Sequence, residues 1–184
     1  MLYKDFDIII HGPWITIGPL EEADNEAYSK ALYGDLYDTY RKNFPKIKIE
    51  PKIRKTLDHT ADDETHAVRI GTRFIGWITL QHGPEDRPDV GITLIASERG
   101  KGYGPEAIRI FGNRLHEAYG LKRLYARVDV ENTRSRRCFE KLGAVLDGEG
   151  QDPGLVKLRT ELWPDGSRPA PQMCFYHLEL PVGD

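Results

Sequence analysis

The sequence predicts an α/β (α+β) fold, a sheet flanked by helices, and three observations predict it. An apolar, β-rich run, DVGITLIA at residues 89–96, leads through a glycine-rich turn into a helical pattern. The alternating run RLYARVDV at residues 123–130 follows, with a second helical pattern behind it. Upstream, VRIGTRFIGWITL at residues 68–80 is two β-branched and aromatic runs parted at Gly71-Thr72, the pattern of a hairpin. Strand, glycine turn, helix, strand and helix in succession make an α/β unit.

Taken in order, residues 14–17 are expected to be an early strand and residues 21–33 a helix. Residues 41–55 are rich in basic side chains, and Asp58, Asp62, Asp63 and Glu64 make the next stretch acidic. Helix and loop on the substrate side are expected there. After the hairpin and the 89–96 strand, Pro105 and Glu106 suit a first helical turn. Ile108, Phe111, Leu115 and Ala118 follow at spacings of three and four, which buries one helical face, and Gly120 ends the helix. In the next strand Leu124, Ala126, Val128 and Val130 share a face. Asn132 and Thr133 can cap the second helix, with Cys138, Phe139 and Leu142 on its apolar stripe and Gly143 at its end. Residues 155–162 and 173–180 read as two closing strands about a turn-rich loop at 164–169.

At 184 residues, without internal repeat or low-complexity linker, the chain is expected to form a single domain over 1–184. A net charge of −3 is too small to favour nucleic acid or a membrane as a general partner. No apolar run reaches the ~20 residues that span a bilayer, and the first ten residues lack the pattern of a signal peptide. The two cysteines, Cys138 and Cys174, give neither a disulfide framework nor metal-ligand spacing, so no metal is expected and the cytoplasm is the expected location.

The turn Arg99-Gly100-Lys101-Gly102-Tyr103-Gly104 carries the chemistry. Amides at a helix start point outward unpaired, and the helix dipole adds partial positive charge. Glycine lets such a turn close tightly and lets an anion approach the backbone, while Arg99 and Lys101 add charge suited to a diphosphate. A dinucleotide-binding turn needs a different spacing and an acid about twenty residues on, and a phosphate-binding NTPase loop needs a Gly-Lys-Ser/Thr ending. Without its setting, the motif would be only a tight strand-to-helix turn.

That setting resembles the GNAT superfamily of acyltransferases, in particular the branch of the RimJ and RimL ribosomal-protein acetyltransferases. Arg99, Gly102 and Gly104 fill the family's Arg/Gln-x-x-Gly-x-Gly/Ala signature, and Asp89-Val-Gly-Ile-Thr-Leu94 stands where the branch commonly has Glu-Ile-Gly and apolar residues. Asn132-Thr-Arg-Ser135 and Cys138-Phe-Glu-Lys-Leu-Gly143 resemble the family's Asn-x-x-Ser helix and its Tyr-Glu-Lys-x-Gly-Phe ending. Two positions depart: Phe139 replaces the frequent tyrosine, keeping the ring without its proton, and Ala144 replaces an aromatic.

The resemblance implies a mixed, mostly antiparallel sheet whose splayed central strands bind acyl-CoA. It implies an N-acetyltransferase, with acetyl-CoA as co-substrate and a primary amine as acceptor. Residues 99–104 would cradle the pyrophosphate, Leu94 and Ile95 would pair with the pantetheine arm, and Asn132 and Ser135 would contact CoA. Asn132 and Ser135 are equally sensible as helix caps. Asp89 is the first candidate for the base that deprotonates the amine, or else ends a turn after Pro88. His82, which titrates near neutrality, is the second candidate, or else a surface histidine. Arg134, Arg136 and Arg137 either meet CoA phosphates or form a solvated face. Cys138 reads as core rather than nucleophile, Phe74 and Trp77 as core aromatics or pocket wall. The acidic residues 58–64 either attract a cationic acceptor or are solvated. A non-catalytic acyl-CoA-binding module and a nucleotide-binding regulatory domain are the competing functions, and the late hairpin can serve a homodimer.

Overall fold

A short glycine-controlled turn opens the centre of the sheet. β3 (Glu64–Ile70) and β4 (Arg73–His82) pair antiparallel about Gly71, whose φ of 57° glycine adopts without steric cost. The computed structural model describes residues 9–33, 64–82 and 87–183. β5 (Pro88–Leu94) lies antiparallel to β4. β1 (Ile10–His11) and β2 (Thr16–Pro19) extend the sheet beyond β3. Past β5 come β6 (Arg123–Asp129), β7 (Val145–Gln151) and β8 (Gln172–Glu179), giving the eight-stranded order β1-β2-β3-β4-β5-β6-β8-β7. Among the described strands only β5 and β6 run parallel, so the sheet is mixed and mostly antiparallel, as expected.

Helix α2 (Tyr103–Tyr119) packs Ile108, Phe111 and Leu115 against Ile78, Leu80, Leu124, Ala126 and Val128, all buried. A Cβ at Gly112 would lie 2.8 Å from Leu180, so glycine there sets how closely α2 approaches the sheet. α3 (Thr133–Lys141) adds Phe139 to the same core. On the other face α1 (Asn25–Tyr33) sets Tyr28 against Ala67, Phe74 and Trp77 in a smaller cluster. Phe74 and Trp77 are therefore core aromatics. Arg69 of β3 pairs with buried Asp24 just before α1 and fixes where that helix begins.

Several expectations need correction. Residues 155–162 form helix α4 (Pro153–Leu162), not a strand. Pro153 at its first turn and Asp152, whose Oδ1 accepts from the Leu155 amide at 2.8 Å, start it, and Leu155, Leu158 and Leu162 are spaced for a helix. β8 lies between β6 and β7, and the closing strand beside it is β7, a glycine-containing run of mostly exposed residues. Ala118 is exposed and Tyr119 takes the packed position of the α2 stripe. The early strand begins at Thr16, Trp14 standing 64% exposed in the preceding bend. Residues 41–55 and Asp58, Asp62 and Asp63 lie outside the described residues, while Glu64 opens β3 beside His66 at 3.6 Å. Among the described residues no helix is long and apolar enough to cross a membrane.

Candidate active site

β5 and β6 meet at one register point, Asp89 opposite Tyr125, and beyond it β5 pairs with β4 alone. Past that point the C-terminal half of β5 borders a cleft of about 350 Å³, walled by Ile92, Thr93 and Leu94 on one side and Asn132, Ser135 and Cys138 on the other. Its end is the glycine turn. Gly100 and Gly102 have φ of 79° and 93°, and a Cβ on either would meet nothing within 4 Å. Conformation, not crowding, demands glycine there, and the space outside the backbone is open. Gly102 is the N-cap of the 17-residue α2 and supplies no side chain, so the first amides of the helix face outward. The residues present thus fit a phosphate-bearing group with an extended amide arm: an anion seat at the turn, then a strand edge of β5 running back toward its junction with β6.

The basic residues of the turn are already engaged. Arg99 Nε donates to the Leu94 carbonyl at 2.8 Å, across the strand edge. Lys101 and Arg73 both bind buried Glu98, at 3.1 and 2.8 Å, and Arg73 foremost holds that carboxyl below its usual range. Glu98 thereby ties the glycine turn to the start of β4. Asn132 Oδ1 accepts from the Ser135 amide at 3.1 Å, so these two residues cap α3 and line the cleft at once. The arginine cluster divides: Arg134 lines the cleft, Arg136 donates to Tyr176 and the Val130 carbonyl, and Arg137 is exposed. Leu94 lines the cleft, whereas the Ile95 amide is spent on the Ile75 carbonyl. Cys138 borders the cleft, 3.2 Å from where a Gly104 Cβ would stand, and burial pushes its thiol up to about 12.

Where β5 meets β6, three residues before the cleft wall begins at Ile92, Asp89 is 8% exposed and its Oδ2 accepts from Arg127 Nε at 2.6 Å. Arg127 also donates to Asp152 at 2.9 Å and to Gln81 at 3.1 Å. Burial raises the Asp89 proton affinity, opposed by Arg127. Asp152 is also buried, yet it stays below the ordinary range because Arg127 and the Leu155 and Gly154 amides hold its charge. Asp89 shares a sheet face with Gly91, where an added Cβ would meet nothing, so the approach beside the carboxylate is open. His82 closes β4 opposite Pro88, and its side chain lies outside the described residues.

Arg127, Asp152 and Gln81 escape the reading of the sequence. Arg127 stands on the polar side of a clearly alternating strand, where a charge is unremarked. Asp152 carried a usable signal, since Asp before Pro marks a helix start.

The model of the acetyltransferase (GNAT) domain family matches residues 15–145. A curated mycothiol acetyltransferase from Corynebacterium glutamicum is 25% identical over 146 residues, 78% of this chain. The chain spans about half of that relative's length, 49%. Among solved structures, a GNAT acetyltransferase from Bacillus anthracis superposes with a TM-score of 0.67 at 19% identity, covering 94% of this chain and 98% of that one. Mycobacterium smegmatis RimJ, solved with CoA-disulfide, gives 0.66 at 16% identity over 95% and 88% of the two chains.

Proposed function

This chain belongs to the GNAT acetyltransferase family, and from that membership we propose that it moves an acetyl group from acetyl-CoA to a primary amine. The acceptor is a protein N-terminus or a small-molecule amine, and transfer is direct, with both substrates bound. The observation that carries this reading is the glycine turn opening onto the cleft between the edge of β5 and α3.

Acetyl-CoA supplies the acetyl group as a thioester, activated toward a neutral amine. The amides of residues 99–104 and the α2 dipole bind its pyrophosphate. The edge of β5 from Ile92 to Leu94 pairs with its amide arm and aligns it toward Asp89. A backbone amide of that edge stabilises negative charge developing on the acetyl oxygen, a donation worth about 2.7–4 kcal/mol. Asp89 takes the proton that the amine must shed. A carboxylate whose proton affinity burial has raised suits that task better than an exposed one. Phe139 carries no proton to give, so the departing thiolate is served by solvent or by CoA's own surroundings rather than by that ring.

Calorimetric titration with acetyl-CoA, beside Gly102→Glu, tests the seat. Binding by the wild type that a folded Gly102→Glu loses is expected. A folded wild type with neither heat nor a thermal shift on acetyl-CoA or longer acyl-CoAs removes the reading. CoA release with an amine panel then tests transfer, and Asp89→Asn should lower kcat by about 10²–10⁴ with acetyl-CoA binding kept. Binding without release on any amine would instead favour a non-catalytic acyl-CoA module.

A further inference from the structure

We propose that Arg127 is the positioning residue of this site, suspending the Asp89 carboxylate between β5 and α4 where β5 meets β6, with Asp152 as its counter-anchor. The inference rests on the reading of Asp89 as the base. Nothing in the sequence motifs points to Arg127; the geometry does.

The guanidinium spends its donors on groups from different elements. Nε goes to Asp89 of β5, Nη1 to Asp152 at the N-cap of α4, and Nη2 to Gln81 of β4, at 2.6, 2.9 and 3.1 Å. A rigid planar fork can hold such partners at fixed angles, which a single ammonium cannot. Both carboxylates are over nine-tenths buried, at 8% and 7% exposure. A buried carboxylate without a cation would stay protonated and be useless as a base. Arg127 keeps Asp89 ionised, while burial keeps it basic. Asp152 shares the same cation, draws part of its field away and repels the second negative charge.

Among the described residues, the groups facing Asp89 are few. β4 offers neutral Gln81, β6 offers Arg127 and Tyr125, and the α4 start offers Asp152. Arg87, one residue before β5, lies over the Tyr125 ring at 4.1 Å and adds a weaker positive charge. Arg127 and Asp152 therefore act on Asp89 with opposite sign. A merely structural role for the cluster would leave the acid limb of kcat unmoved when either charge is removed.

The test is kcat against pH for the wild type, Asp89→Asn, Arg127→Gln and Asp152→Asn. The wild type should lose activity on an acid limb, and Asp89→Asn should lose both the limb and most of kcat. In Arg127→Gln the limb should move to higher pH by at least about one unit, a tenfold loss read at the foot of the wild-type limb. In Asp152→Asn, which keeps a competent helix cap, it should move to lower pH. A folded Arg127→Gln with an unmoved limb, or shifts of the same sign in both variants, overturns the proposal while leaving Asp89 as base. A wild-type profile in Asp89→Asn removes the base reading instead. Should Arg127→Gln not fold, carbon-13 NMR titration of the Asp89 carboxyl in Asp152→Asn decides: a lowered pKa supports the proposal, an unchanged or raised one overturns it. Arg127→Lys, which keeps the charge but not the fork, should retain the limb near its wild-type pH with a reduced kcat.

Discussion

The thiol of Cys138 shows how one residue's surroundings choose between mechanisms. It borders the cleft beside Gly104, where a nucleophile could in principle accept an acyl group before passing it on. Burial holds it at about 12, with Lys141 only partly opposing. Thiolate, not thiol, is the nucleophile, so at pH 8 a rise from 9.0 to about 12 cuts its thiolate by roughly a thousandfold. That scarcity argues against an acyl-Cys138 intermediate and supports the direct transfer proposed above. Iodoacetamide at pH 8 should leave Cys138 unmodified in native protein and label it only in denaturant, as read by mass spectrometry. Acetyl-CoA without an amine should likewise leave no acetyl group on it. Rapid native labelling, or an acetyl adduct, would reverse the order of steps argued above.

Among the elements, the cleft depends on how β4 lies under β5. Gly76 sits opposite Leu94, and a Cβ there would come within 2.1 Å of the Thr93 carbonyl and 2.9 Å of the Leu94 Cα. Both obstacles are backbone, so nothing flexible can give way. Gly76→Ala should destabilise by about 1–3 kcal/mol through overpacking, and it should weaken acetyl-CoA binding because Thr93 and Leu94 are the cleft wall. Thermal melting and calorimetry on the same sample check the pair of effects; a variant as stable as wild type with full affinity would show that β5 can move freely. This part of the site was illegible in the sequence, where Gly76 is one more small residue in an apolar run. The glycine turn, α2 and β6 were legible, because Gly100, Gly102 and Gly120 take backbone conformations that side chains resist, and Leu124, Ala126 and Val128 alternate without interruption. Residues 155–162 read as a strand from their leucines, Val156 and Thr160, although leucines at 155, 158 and 162 have helical spacing. β7 was passed over because its exposed, glycine-containing run has no buried face to show. The partners of Asp89 come from separate elements, and only the fold brings them together.

On the scale of the whole molecule, the sheet consists of two parts, β1 to β5 and β6 to β8, joined at a single strand register point. The Asp89–Arg127–Asp152 cluster straddles that seam, so protonation at the site must be felt by the fold. The two carboxylates are linked to stability with opposite signs. Asp152 lies below its ordinary 3.8 in the folded protein, so its stabilisation is full above that value and is lost as pH falls through the lowered one. Asp89 lies above 3.8 when folded, so the cost of burying its charge is present above the raised value. That cost disappears as pH falls from the raised value toward 3.8, because there the folded state binds the proton and the unfolded state does not. Melting temperatures measured from about pH 7 to about pH 3 should therefore diverge. The wild type should gain on Asp89→Asn as the solution is acidified toward 3.8, and lose its advantage over Asp152→Asn below that value. If both differences change in the same direction, the two carboxylates do not divide their roles around Arg127, and the seam is held by the α2 core alone.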